Sequence, residues 1–323
     1  MEQINLLSLI TGAGGFAGSH LSEYLLSQNL SSVWGCGKSS KLKHKIEFDM
    51  NYRCIDLTDS SAVITFLDEI RPNQIYHLAG QATVHTSWTN PMAHFDSNVY
   101  TTLNILDAVS KLKLNCKILV VTSMEVYGDI STYNMPIKEN SSFRPNSPYG
   151  ASKASQDLLA QSYGIGHKLN VVRVRPLNHI GPRQNDQFVA TAFARQIAQI
   201  EEGLQPPNIM VGNLSASRDF TDVRDMVRAY SLVMEHSKPG IAYNIASGNS
   251  YTIQEILDIL ISLTNINVTV KVDPNRVRKS NTPALIADCS EFNKIADWKP
   301  KYPIQQTLSD LLDYERKQLN NNN

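Results

Sequence analysis

Close to the start of the chain, Thr11-Gly12-Ala13-Gly14-Gly15-Phe16-Ala17-Gly18 joins a short apolar run, Ile4–Ile10, to an amphipathic stretch. Glycines here permit a tight turn and a close approach of backbone to a bound group. A helix that starts in such a turn offers unpaired N–H groups and the positive end of its dipole. Strand, glycine turn and helix in this order constrain the fold more than any other feature, because the next parallel strand is reached only by a crossover. The spacing Gly12-x-x-Gly15-x-x-Gly18 departs from the usual G-x-G-x-x-G, although Gly12, Gly14 and Ala17 satisfy its looser form. An ordinary Gly-rich strand–helix turn is the competing reading.

The rest of the first half repeats the unit. Strands are expected at Leu6–Ile10, Val33–Cys36, Arg53–Ile55, Gln74–Leu78, Lys117–Thr122 and Asn170–Val174. Helices are expected at Phe16–Ser27, Ser60–Ile70, Met92–Leu112 and Ser147–His167. Strands buried on both faces read as unbroken apolar runs, as Ile118-Leu119-Val120-Val121 does. The expected class is α/β: a doubly wound parallel sheet of the Rossmann type with a smaller C-terminal α/β substrate lobe. The dinucleotide-binding domain is placed at 1–176, rejoined by parts of 215–247, and the lobe at 177–323. In the lobe the pattern gives a loop over Asn178–Asp186, helices near Phe188–Glu202, Val223–Glu235 and Thr252–Leu263, and a buried strand at Ala242–Ala246.

Lys+Arg and Asp+Glu balance at 30 each, which argues against a nucleic-acid binder with a basic face. No apolar run has the length of a membrane span, and the N-terminal run lacks the basic start of a signal peptide, so a cytoplasmic protein is expected. Cys36, Cys54, Cys116 and Cys289 are scattered without CxxC spacing and read as reduced thiols. Without HExxH or clustered Cys/His, no metal is expected.

The end of the second strand decides the cofactor. A fold that binds NAD usually places an acid there for the ribose 2′-hydroxyl. Here the residues are Gly35-Cys36-Gly37-Lys38-Ser39-Ser40-Lys41, with no acid. Lys38 and Ser39 suit a 2′-phosphate, so NADP(H) is favoured and NAD(H) stays open. A solvated loop with incidental lysines is the competing reading. Asp56 and Leu57 follow the third strand and can frame the adenine. Leu78, Ala79 and Gly80 end the fourth, where small residues let the dinucleotide pass.

Ser147-Pro148-Tyr149-Gly150-Ala151-Ser152-Lys153 opens a helix, with serine at the cap and proline in the first turn. Tyr149 and Lys153, four apart, share a face. A phenol ordinarily ionises near pH ~10, and a neighbouring ammonium favours its phenolate. The pair can then move a proton to or from a carbonyl oxygen during hydride transfer. Thr122-Ser123 ends the fifth strand, where strand C-termini line the ligand crevice, so Ser123 can hold the substrate oxygen toward Tyr149.

Together with His77-Leu78-Ala79-Gly80, Asn98, Thr122–Gly128, Arg175–Pro182 and Arg218–Asp225, these motifs resemble the extended short-chain dehydrogenases/reductases that modify nucleotide sugars. Within that branch the chain is most similar to GDP-4-dehydro-6-deoxy-mannose reductases, through Asn178–Pro182, Phe188-Val189, Phe193–Ile197, Val211–Leu214 and Thr282-Pro283 with Asp288. The resemblance implies reduction of a C4 ketone on a GDP-linked 6-deoxyhexose, giving GDP-D-rhamnose, by a homodimer. It implies that Gly12, Gly15, Phe16, Gly18, Thr122 and Leu177 contact the cofactor, besides the residues above. It implies substrate contacts from Ser87, Asn178, Val189, Arg218 and Arg278, the arginines serving the pyrophosphate. Arg278-Lys279 stands where these reductases usually have Arg-Pro. Arg195, Arg224 and Arg276, and His20 with Glu23, read as surface ion pairs.

Glu125 matches the glutamate that removes the C5 proton in sister 4,6-dehydratases. The residue before it is acidic in dTDP-glucose enzymes but not in GDP-mannose enzymes. Met124 therefore weakens the dehydratase alternative without ending it, and Glu125 is as readily structural as chemical. A C4 epimerase and a dinucleotide sensor are the remaining alternatives. An intact Ser123, Tyr149 and Lys153 speak against a sensor, which needs no proton relay.

Overall fold

A computed structural model describes residues 6–29, 32–44, 46–128, 135–276 and 285–320. Its main sheet contains β1 (Leu7–Thr11), β2 (Ser32–Gly37), β3 (Asn51–Cys54), β4 (Gln74–His77), β5 (Lys117–Val121), β6 (Asn170–Pro176) and, from late in the chain, β10 (Ala242–Ile245). The order is β3-β2-β1-β4-β5-β6-β10, and every pair is parallel. The direction of winding reverses between β1 and β4, so the crevice beyond their C-terminal ends is where such a sheet takes ligands. The turn Gly12–Gly18 and the segment Leu78–Gly80 both open onto it.

Consecutive strand residues face opposite layers, which explains why the runs are apolar throughout. Ile10, Tyr76 and Leu119 pack toward α1 (Phe16–Ser27) and α8 (Val223–His236). Leu9, Ile75 and Ile118 pack toward α2 (Ser60–Ile70), α5 (Thr101–Lys111) and α6 (Pro148–Gly166). The second lobe has its own core among α7 (Val189–Glu201), α9 (Ile253–Ser262) and α11 (Ile304–Asn320). β8 (Asn208–Val211) pairs with β12 (Thr269–Val272), and β9 (Ser217–Asp222) lies between β7 (Asn178–Ile180) and β11 (Ser250–Thr252). The chain then returns to the first body: α10 (Ser290–Ile295) and Trp298 pack in the same core as α8 and β10.

Two expectations are corrected. Met92–Leu112 is not one helix. It is α4 (Pro91–Phe95), a π turn (Asp96–Tyr100) and α5, preceded by α3 (Val84–Thr89). Hydroxyls of Thr101 and Thr102 take the carbonyls of Ser97 and Asn98 at 2.7 and 2.6 Å, competing with the regular ladder. The stretch Asn178–Asp186 is not all loop, because its first three residues form β7 against β9, a pairing over some 40 residues of sequence that no local pattern announces.

Candidate active site

At Gly12 and Gly18 the glycine turn is shaped by contacts that leave no room for a side chain. Gly12 has φ +71°, and a Cβ there would meet Ala79 Cα at 2.9 Å; one at Gly18 would strike the Gly12 carbonyl. Gly12 N–H donates to the Cys36 carbonyl at 2.8 Å, tying the turn to the end of β2. Gly15 caps α1 without a side-chain bond, so the first N–H groups of the helix remain available to an anion. Beyond the turn lies a groove with about 370 Å³ of room. It is lined by Gly12, Gly37, Lys38, Leu57, Ala79 and Gly80, with Asp96, Ser97 and Thr101 from the π turn and α5 on the opposite wall. Gly12, Lys38, Leu57, Ala79 and Gly80 are thus brought together as the sequence suggests. The π-turn wall is not visible in the sequence, because it exists only where the helix breaks.

Lys38 and Asp56 form an exposed ion pair at 3.3 Å at the groove's far end. Hydrogen bonds from Thr58 and the Lys38 ammonium hold the Asp56 carboxyl below the usual carboxylate range. Ser39 accepts the Tyr52 hydroxyl on its carbonyl at 3.0 Å.

A second, smaller pocket adjoins Ser123, Met124, Glu125, Leu177, Asn178 and Arg218, closed by Pro176 and Leu285. Tyr149 sits in the first turn of α6, which Ser147 caps by accepting the Gly150 N–H at 3.0 Å. Burial pushes the Tyr149 phenol well above its ordinary value, Ser123 partly offsets this, and Glu125 adds to it. The free protein therefore keeps Tyr149 protonated at neutral pH. Burial lowers the Lys153 ammonium to about 7. Its Nζ donates to the Val121 carbonyl at 3.0 Å and to Gln156 Oε1 at 2.9 Å.

Other expected positions serve the frame. Phe16 stacks on His179 with ring centroids 5.8 Å apart, seating the glycine turn against the start of the lobe. Thr122 is buried and donates to the Val174 carbonyl at 2.9 Å and Asp157 at 3.2 Å. Ser87 donates to the Val84 carbonyl within its own helix at 2.6 Å, and Val189 opens α7. Neither lines the two cavities. Arg278 and Thr282-Pro283 lie outside the described residues. Arg195 pairs with Asp186 and Arg276 with Asp273, as expected, whereas Arg224 is corrected from a surface pair: it holds the buried Asp222 as well as Asp310. The pairing of His20 with Glu23 is corrected. Glu23 holds Arg183 at 2.7 Å, whereas His20 is buried against the Pro182 carbonyl at 2.9 Å and pushed down to about 4 by desolvation. Among the described residues, no helix is long and apolar enough to cross a membrane and no group of His, Cys, Asp or Glu could hold a metal.

The model of the family described as GDP-mannose 4,6 dehydratase matches residues 9–311. GDP-6-deoxy-D-mannose reductase of Pseudomonas aeruginosa is 31% identical over 309 residues, covering 95% of this chain and 97% of that one. GDP-mannose 4,6 dehydratase 1 of Arabidopsis thaliana is 29% identical, covering 95% and 89%. The structure of RMD from Pseudomonas aeruginosa complexed with NADPH superposes with a TM-score of 0.83 at 28% identity, over 97% of this chain and 99% of that one.

Proposed function

The chain belongs to the GDP-mannose 4,6-dehydratase family of extended short-chain dehydrogenases/reductases, and from that premise we propose that it reduces the C4 ketone of GDP-4-dehydro-6-deoxy-D-mannose to GDP-D-rhamnose with NADPH. The observation that carries the reading is the pocket wall Ser123-Met124-Glu125 beside a protonated, buried Tyr149. Met124 cannot supply the acid that the dTDP-glucose enzymes carry in this slot, which speaks against their dehydration and leaves the GDP-mannose one as the rival.

The groove fits a dinucleotide on its own chemistry. Gly12 and Gly18 exclude a side chain at the turn, the helix N-terminus has no side-chain cap, and Gly80 leaves space that a Cβ would close against Asn98. Gly12, Gly15 and Gly18 would hold the pyrophosphate, Asp56 and Leu57 the adenine, and Lys38 with Ser39 a 2′-phosphate. Bound there, NADPH supplies the hydride. Tyr149 gives its phenolic proton to the C4 oxygen, and Ser123 holds that oxygen in line. Lys153 stabilises the phenolate left behind until solvent restores the proton. Asn178, Arg218 and Arg278 would bind the sugar and its diphosphate. Lys38→Ala should weaken NADPH more than NADH, measured by fluorescence titration of both.

Glu125 in the same wall supports a second reading as a GDP-mannose 4,6-dehydratase. Incubation with GDP-mannose alone, and with the 4-keto sugar plus NADPH, separates the two. The reductase consumes NADPH stoichiometrically in the second mixture only, and conversion of GDP-mannose alone overturns the assignment. A homodimer is part of this proposal. Exposed Trp88, Met92, Tyr100, Leu158 and Ile165 lie on the packed elements α3, α4, π turn and α6. Sedimentation at the monomer mass would remove it.

A further inference from the structure

Lys153 is suspended from a buried chain of neutral groups whose hydrogens have one consistent assignment. Thr102 has a single hydroxyl hydrogen, and the Asn98 carbonyl takes it at 2.6 Å. The hydroxyl oxygen then accepts from its other two partners, His77 Nε2 and Gln156 Nε2, each at 2.9 Å. His77, pushed down to about 3 by burial, is neutral with its proton on Nε2. Its Nδ1 accepts from Thr11 Oγ1 at 2.8 Å, and that oxygen receives the Ala79 N–H at 3.1 Å. With its amide N–H committed to Thr102, Gln156 turns Oε1 onto the Lys153 ammonium. The flipped amide would set N–H groups against the ammonium and an oxygen against a lone pair of Thr102.

We infer that Gln156 is a positioning residue, which fixes how Lys153 presents its charge to Tyr149 and to the cofactor groove. This rests on the reading of Lys153 given above. Two of the three ammonium hydrogens go to Gln156 and the Val121 carbonyl. The third is left for the groove at Gly80, whose missing Cβ would lie 3.7 Å from Nζ. Both holders are uncharged, so neither keeps the lysine from the groove as an ion pair would. Gln156 is wholly buried and lines neither cavity, so it acts through Lys153. The groups that face the site leave this arrangement intact. From β4 comes neutral His77. On α6 itself stands Tyr149, against whose ring His94 of α4 packs edge-on at 6.3 Å. Glu125 lies beside Tyr149, and Asp96 lines the groove. His85 of α3 is exposed, and Asp107 of α5 pairs with Lys111. Arg173 and Arg175 both donate to Asp157.

The test reads the titration of Lys153 in the free enzyme by NMR of ¹³C-labelled lysine, with the resonance assigned by Lys153→Arg. Gln156→Met removes an acceptor and should lower the midpoint by about one pH unit. Gln156→Glu adds a carboxylate and should raise it by about one to three, the range for an opposite charge in contact. Thr102→Val, which unfastens Gln156, should shift it in the same direction as Gln156→Met but less. Midpoints that do not move in the folded variants overturn the inference, because loss of a merely structural glutamine changes melting and not this titration. If Gln156→Met does not fold, Gln156→Glu and Thr102→Val decide alone. No sugar is present, so failure here leaves the reductase assignment standing, and a wrong sugar leaves the titration result standing.

Discussion

Gln156 and Asp157 are neighbours on α6, yet they serve two clusters of opposite character. Gln156 joins a chain of neutral donors and acceptors that ends on Lys153. Asp157 is fully buried between two arginines, with Arg175 bidentate at 2.8 and 2.9 Å and Arg173 at 2.8 Å. Arg175 continues to the Tyr127 hydroxyl at 2.6 Å and the Glu139 carbonyl at 2.8 Å. The ionic cluster fastens α6 to β6 and to the segment around Glu139. The contrast separates two demands on one helix. On the proposed reading, a cation that serves a visiting ligand is held by groups that do not neutralise it, whereas the joint between α6 and β6 is built from full charges in mutual contact.

Breaking the neutral side should take activity and spare the fold. Tyr149→Phe should lower turnover by about 10²–10⁴-fold, the range for losing a general acid, with unchanged melting. Turnover near that of the parent would remove Tyr149 from the chemistry. Breaking the ionic side should do the reverse. Asp157→Asn leaves two buried guanidinium groups without their carboxylate and should cost about 3–5 kcal/mol in denaturant unfolding. The fraction still folded should turn over nearly as the parent does.

The two sides should also differ in pH response. Lys153 is lowered to about 7 in the native chain, against an ordinary value of about 10. Above pH 7 the native ammonium is lost, so turnover and cofactor affinity should decline through that pH. The unfolded chain keeps its proton up to about 10, so this group makes stability rise with pH from about 7 to about 10. His77 acts at the acid end. Unfolded, it takes a proton below about 6.5 that the native chain refuses until about 3, so stability falls as pH drops through that interval. Thermal melts from pH 4 to 9 and a pH–rate profile check both. The smallest effect belongs to a control pair. Arg53 and Glu69 meet at 2.7 Å in the open, and Arg53→Gln should cost less than about 1 kcal/mol in the same unfolding measurement.

What the sequence disclosed was local. The glycine turn, the apolar strands and the Tyr149–Lys153 spacing are read from a few adjacent residues, and the parallel, doubly wound class follows from the alternation of strands and helices. What it concealed depends on partners far apart in the chain. β7 needs β9, and α10 with Trp298 comes back to the first body from beyond residue 247. In a helical pattern, Gln156 is simply a polar residue. Only the packing of α5 against α6 brings Thr102 to it, and only the π turn points the Asn98 carbonyl at Thr102. His20 misled for a related reason: Glu23 lies nearby in sequence, but Arg183, from beyond β7, claims it.

The crowded contacts of Gly12 and Gly18 also decide where such a protein can change. No side chain fits at Gly12 or Gly18 without moving the helix or Ala79. An engineer wishing to exchange one dinucleotide for another would therefore start at the exposed end of β2, where, among the described residues, only the ion pair with Asp56 would have to be given up at Lys38. The crowded part of the site would then stay fixed while the cofactor preference is altered at exposed side chains.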